Sequence, residues 1–123
     1  MYFAHRCIKM WFVLLSLPLI TLKFAAMIIV HDIFVCKPGN ASKLAKQFKE
    51  AMKGLSEVVN IMTDMTGQYN RVIMVSQYEN LTAYEKSWEK YKEDTEENRK
   101  MSEKMAGYTD MYLTGSREIY QTW

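Results

Sequence analysis

Residues 27–36 read MIIVHDIFVC, and Lys37-Pro38-Gly39-Asn40 follows at once. A run rich in Ile, Val and Phe that stops at turn punctuation predicts a strand. Side chains on a strand alternate in direction, so Ile28, Val30 and Phe34 share one face while Ile29, Ile33 and Val35 share the other. A strand that is apolar on both sides belongs inside a sheet with both faces covered.

Beyond this strand, Asn40 and Ser42 are good helix N-caps, and Leu44, Phe48, Ala51, Met52 and Leu55 recur at helical spacing among surface lysines. This predicts an amphipathic helix ending near Ser56. VVNIMTDM (58–65) and RVIMVSQY (71–78) are two further strand-like runs, joined by a loop of hairpin length at Thr66-Gly67-Gln68-Tyr69-Asn70. A second helix starts at Asn80, a good N-cap, or at Thr82, which has capping-box spacing to Glu85. Its apolar stripe is Leu81, Tyr84, Trp88 and Tyr91. KEDTEENRKMSEK (92–104) reads as a solvated helix face or a loose connection. Met101 and Met105 place a last helical turn against the core, and Gly107 closes it. Tyr108–Leu113 and Arg117–Trp123 form a final strand, kinked or bulged around Gly115.

The order strand, helix, strand, strand, helix, strand predicts an α+β fold of the ferredoxin-like βαββαβ type. It implies a four-stranded antiparallel sheet with the first and third strands central, in one domain spanning residues 27–123. The hairpin strands are also apolar on both sides, with Val59, Ile61, Val72 and Met74 opposed by Val58, Met62, Ile73 and Val75. Two helices cover only one face. The other would expose more than the few hundred Å² a soluble monomer tolerates. The expected cover is a second copy across a two-fold axis, giving a homodimer through the sheet face. A covering N-terminal segment is the rival.

Residues 1–26 form an apolar extension, with WFVLLSLPLITL at 11–22. A spanning helix needs about 20 apolar residues, so this run gives no stable membrane span. Three readings stand: translated sequence upstream of a start at Met27, a secretory signal, or an anchor or extra packed helix. Against the signal, Phe24 is bulky where cleavage after Ala26 wants a small residue. The expected location is cytoplasmic, with export as the alternative if residues 1–26 are a signal peptide.

The net charge of +2 comes from this extension, because Arg6, Lys9 and Lys23 lie in it and no acid does. The remainder carries 13 basic and 14 acidic residues, so no basic stripe is left for nucleic acid. Ten Met and eight Tyr are the two enrichments, and both types serve cores and interfaces. Cys7 and Cys36 are too few and too far apart for a zinc site or a disulfide framework. No Gly-rich phosphate loop, nucleophile elbow, paired-carboxylate motif or metal-ligand cluster occurs, and no cofactor is expected.

The element order, the helix start after Lys37-Pro38-Gly39, the Thr63-Asp64-Met65-Thr66-Gly67 turn, and Tyr78-Glu79-Asn80-Leu81 leading into Tyr84-Glu85 and Trp88 resemble the NIPSNAP-like branch of the dimeric α+β barrel superfamily. The resemblance covers Met27 to Trp123. It implies two sheets joined face to face with helices outside, and often a pocket between sheet and helices. The superfamily includes cofactor-independent monooxygenases, lactone isomerases, haem-degrading enzymes and chlorite dismutases. Haem-degrading members use an Asn, a Trp and a second-helix His. Trp88 is present here, but the second helix has no His, which argues against haem.

His31, the only histidine after residue 26, is the catalytic candidate: a general base in a sheet–helix pocket, against the reading of a partly buried, hydrogen-bonded side chain. Asp32 beside it points to the opposite face. Asn60 and Asp64 share a face of the second strand and are pocket candidates, against simple solvation. Tyr78, Tyr84, Trp88 and Tyr112, with Tyr69 and Tyr91, are candidates to line an aromatic cavity rather than only core and interface. Arg117 and Glu118 are expected to pair across the dimer. Two glycosylation sequons, at Asn40 and Asn80, coincide with helix caps, and capping explains them. The expected function is binding of a small apolar or aromatic molecule, with cofactor-independent monooxygenase or isomerase activity if it is an enzyme. The alternative is a non-catalytic dimerisation or sensing module.

Overall fold

Turn punctuation sets the frame of the computed structural model, which describes residues 26–123. The expectations for the N-terminal extension therefore lie outside the described residues, apart from Ala26. Strand β1 is Ile28–Cys36, helix α1 Ala41–Ala51, strand β2 Val58–Thr63 and strand β3 Arg71–Tyr78. Helix α2 follows at Leu81–Lys92, helix α3 at Glu96–Lys104, a 3₁₀ turn at Tyr108–Asp110, and strand β4 at Tyr112–Gln121. The sheet order is β2-β3-β1-β4 with every neighbouring pair antiparallel, so β1 and β3 are central as their composition predicts.

Four local features depart from the sequence expectation. Helix α1 stops at Ala51 rather than near Ser56, because the chain turns at Gly54 with φ +87°, a conformation that costs glycine little. The charged run is the solvated helix of the two expected alternatives, but it is separate from α2. The N-cap of this helix, α3, is Thr95, which accepts a hydrogen bond from Asn98 N at 3.2 Å. Asn98 Nδ2 in turn donates to the carbonyls of Lys90 and Glu93 at 2.8 Å each, closing the end of α2. Tyr108–Asp110 is a 3₁₀ turn, and the irregularity of β4 lies where its pairing jumps from Val35–Thr114 to Cys36–Tyr112, not at Gly115. The second strand carries a bulge too. Val58 pairs with Ser76 and Asn60 with Val75, which turns Val58 toward the helices and leaves Val59 half exposed.

The second helix begins after Asn80, whose side chain accepts from Ala83 N at 2.8 Å. Asn40 occupies the same position before α1 without making a side-chain cap. The core sits between α1 and the central strands, where Cys36, Leu44, Phe48 and Val72 are fully buried. Phe48 meets Phe34 edge-on at 5.0 Å and Tyr108 at 6.1 Å. Gln47 Nε2 donates to the carbonyls of Lys104 and Ala106 at 2.9 Å, tying α1 to the end of α3. Register puts Ile29, Ile33 and Val35 of β1 beside Ile73 and Val75 of β3 on the face away from the helices. On that face β4 contributes Ser116, Glu118 and Tyr120, while β2 adds Met62 beside Ile73, so the apolar band is centred on β1 and β3.

Candidate binding site between sheet and helices

Helix α1 fills its end of the layer with Leu44, Phe48 and Ala51, whereas α2 buries no residue completely. Between α2 and the sheet lies a cavity of about 230 Å³. Its floor is Asp32 and Phe34 of β1, Met74, Ser76 and Tyr78 of β3, and Arg117 of β4. Its roof is Tyr84, Ser87, Trp88 and Tyr91 of α2, with Met52 at the end of α1 and Met101 and Met105 closing the far side. Tyr91 fits because residues 84, 87, 88 and 91 lie on one face of a helix at i, i+3, i+4 and i+7.

The aromatic wall is continuous. Tyr78 and Tyr84 meet edge-to-face at 5.1 Å, and Tyr84 meets Trp88 at 6.2 Å. The Arg117 guanidinium carbon stands 4.6 Å from the Trp88 ring centroid, a cation–π contact that holds the arginine against the roof. Arg117 Nε donates to Asp32 Oδ1, and the two residues face each other across the β1–β4 register. Burial opposes the Arg117 charge, but the hydrogen bond and charge of Asp32 outweigh it and raise its pKa. Burial pushes the Tyr78 phenol up, against the lowering effect of the neighbouring Ser87 and Ser76 hydroxyls. The Tyr91 phenol is raised further, by burial and by donating to Glu57 Oε1. Both phenols stay protonated at neutral pH.

Of the residues picked out by sequence, Tyr78, Tyr84, Trp88 and Tyr91 line the cavity. His31 does not. It lies on the opposite face of β1 between Val75 and Glu118, with its ring 5.2 Å from Tyr120 in a T-shaped contact. The sheet stands between it and the cavity, so a base role for His31 in that pocket has no geometric support. Asn60 projects from the exposed edge strand, its side chain accepting from Ile61 N at 3.0 Å. Asp64 closes the hairpin by accepting from Arg71 N at 2.7 Å. Tyr112 packs on Phe34 at 5.1 Å and Tyr108 at 6.0 Å, behind two residues that line the cavity, and does not line it itself. Tyr69 is solvent-exposed. Arg117, expected to pair with a partner subunit, instead pairs with Asp32 of its own chain.

Asp32, Arg117 and the methionines are the site residues that sequence reasoning missed. A signal for Asp32 existed, since it shares strand parity with Val30 and Phe34. Which parity faces the helices is decided only when the layers pack.

A four-stranded antiparallel sheet ordered β2-β3-β1-β4, with helices on one side and a hollow under the second helix, defines a ferredoxin-like α+β domain with a sheet–helix cavity. The chain belongs to the NIPSNAP family, whose model matches residues 32–111. No curated protein matches it. Among solved structures it is similar to a NIPSNAP family protein from Agrobacterium tumefaciens strain C58, with 14% identity, a TM-score of 0.62, and 79% of this chain and 86% of that one covered. It is also similar to a dimeric protein of unknown function and ferredoxin-like fold from Bacteroides fragilis, with 15% identity, a TM-score of 0.51, and 78% and 96% covered. A third is a Chloroflexus aurantiacus protein assigned as an antibiotic biosynthesis monooxygenase, with 10% identity, a TM-score of 0.52, and 78% and 90% covered. At these identities the likeness is one of fold. Among the described residues, no helix is long and apolar enough to cross a membrane.

Proposed function

We propose that the chain is a homodimeric domain that binds a small apolar or aromatic molecule between its sheet and helices. The observation that carries this reading is the cavity of about 230 Å³ under α2, walled by Tyr78, Tyr84, Trp88 and methionines. An engineered cavity of roughly 150 Å³ with apolar walls takes up benzene, so this one has room for one or two aromatic rings. A closed sheet–helix layer would have favoured the bare dimerisation or sensing module. Thermal-shift and calorimetric titration with a panel of one- and two-ring aromatics tests the reading. Binding that disappears when Ser87→Phe fills the cavity supports it, and no binding at millimolar ligand overturns it.

The dimer is part of the same proposal. Ile29, Ile33, Val35 and Ile73, each only partly buried, form an apolar band around the buried Val75 on the sheet face away from the helices. The dimeric Bacteroides fragilis protein of the same fold supports a second copy as the cover. A monomer by light scattering at micromolar concentration argues against it.

Cofactor-independent oxygenation or isomerisation is the second reading. It is favoured by the likeness to the Chloroflexus aurantiacus protein and by an acceptor and a cation, Asp32 and Arg117, set together in the cavity wall. Oxygen uptake with bound aromatic ligands measures it directly. A cytoplasmic location completes the proposal, with residues 1–26 lying outside the domain. The helix cap made by Asn80 supports it for that sequon, whereas Asn40 makes no side-chain cap. Recovery of a chain beginning at Met27 from the exported fraction would overturn it.

A further inference from the structure

Among the residues lining the cavity, Asp32 and Arg117 alone carry full charges, and they are bound to each other. The contact is end-on: Arg117 Nε donates to Asp32 Oδ1. Asp32 Oδ2 and both Arg117 Nη groups make no hydrogen bond among the described residues, and the Arg117 side chain is 41% exposed. The Asp32 side chain keeps only 15% of its exposure, while Arg117 is pinned by Trp88. The wall therefore offers a free carboxylate acceptor beside free guanidinium donors, at fixed positions and with no net charge.

That combination selects among ligands. An anion gains from Arg117 but meets the Asp32 carboxylate, and a cation meets the reverse. A neutral hydroxyl satisfies both, since its O–H donates to Asp32 Oδ2 while its oxygen accepts from an Arg117 Nη. The flanking rings of Phe34, Tyr84 and Trp88 and the Met74 thioether provide apolar walls for a flat ring system.

We infer that the Asp32–Arg117 pair recognises the hydroxyl group of a neutral, planar aromatic alcohol of one or two rings, of the phenol or naphthol class. This rests on the cavity being a binding site. The test is calorimetric titration of the full chain with 2-naphthol, 2-methoxynaphthalene and 2-naphthoate at neutral pH. The naphthol binds about tenfold more tightly than its methyl ether, the size expected for a hydrogen bond to a charged acceptor. Asp32→Asn reduces that ratio, because the naphthol loses its charged acceptor whereas the ether makes no donation to lose.

Equal affinity for naphthol and ether in the unaltered chain overturns hydroxyl recognition and leaves cavity binding standing. Tightest binding by the naphthoate overturns it in favour of an acid ligand held by Arg117. Failure of all three to bind overturns the cavity reading itself. The comparison of ligands on the unaltered chain decides even where the Asp32 variant folds poorly.

Discussion

Helices α1 and α2 lie on the same face of one sheet and do opposite things. Helix α1 drives Leu44, Phe48 and Ala51 to full burial, with Phe48 wedged between Phe34 and Tyr108. Helix α2 presents larger side chains, Tyr84, Trp88 and Tyr91, and buries none of them completely. Its rings meet one another and Tyr78 at their edges and leave space beneath. Aromatic content therefore does not measure packing. A compact Leu–Phe–Ala stripe lets a helix settle onto the strands, while a row of Tyr and Trp with polar tips holds its helix off them.

Substitutions on the two helices should differ most in stability, because Phe48 is fully buried although it also borders the cavity. Phe48→Ala is expected to cost about 3–5 kcal/mol, which for a domain near 100 residues lowers the melting temperature by well over 10 °C. Trp88→Ala should cost clearly less in thermal unfolding, because Trp88 is already 41% exposed, yet abolish aromatic ligand binding in calorimetry. Equal losses of stability would erase the contrast between a core helix and a site helix.

The two faces of the sheet give the next test. Ile33→Asp places a charge in the apolar band away from the helices and should convert a dimer to a monomer in light scattering. The cavity lies on the other face, so ligand binding should persist if the monomer folds.

The helix starts should also differ. Asn80→Ala loses the hydrogen bond to Ala83 N and should cost about 1 kcal/mol in chemical denaturation, whereas Asn40→Ala makes no such loss and should stay within about 0.5 kcal/mol.

The smallest effect concerns alkaline pH. Burial and Glu57 raise the Tyr91 phenol above its ordinary value, so the folded chain holds this proton more tightly than the unfolded chain. The stabilisation is complete below the unfolded phenol pKa of about 10 and falls as pH rises beyond it. Tyr91→Phe should flatten that part of a stability–pH curve measured by denaturation between neutral and alkaline pH.

How much of this was legible in the residues differs between fold and site. Element order and the central places of β1 and β3 follow from where Ile, Val and Phe cluster and where Gly, Pro and Asn interrupt them, because strand and helix periods are written locally. The α2 wall was legible for the same reason, as Tyr84, Trp88 and Tyr91 recur at one helical spacing. His31 misled because a lone histidine is conspicuous chemistry, while the parity that sends it away from the helices is set by packing. The bulge at Val59 likewise moved Val58 into the cavity wall, and no residue type announces a one-residue slip.

By itself the sequence determined the strand and helix order, the two-sided apolar character of the central strands, and the aromatic stripe of the second helix. Tertiary structure alone decided which sheet face the helices cover, where space remains under α2, and that Asp32 meets Arg117 across 85 residues of chain. The physical reason is range. Periodicity and turn chemistry act over a few neighbours, whereas facing, cavities and ion pairs depend on register and layer packing between segments far apart in the chain.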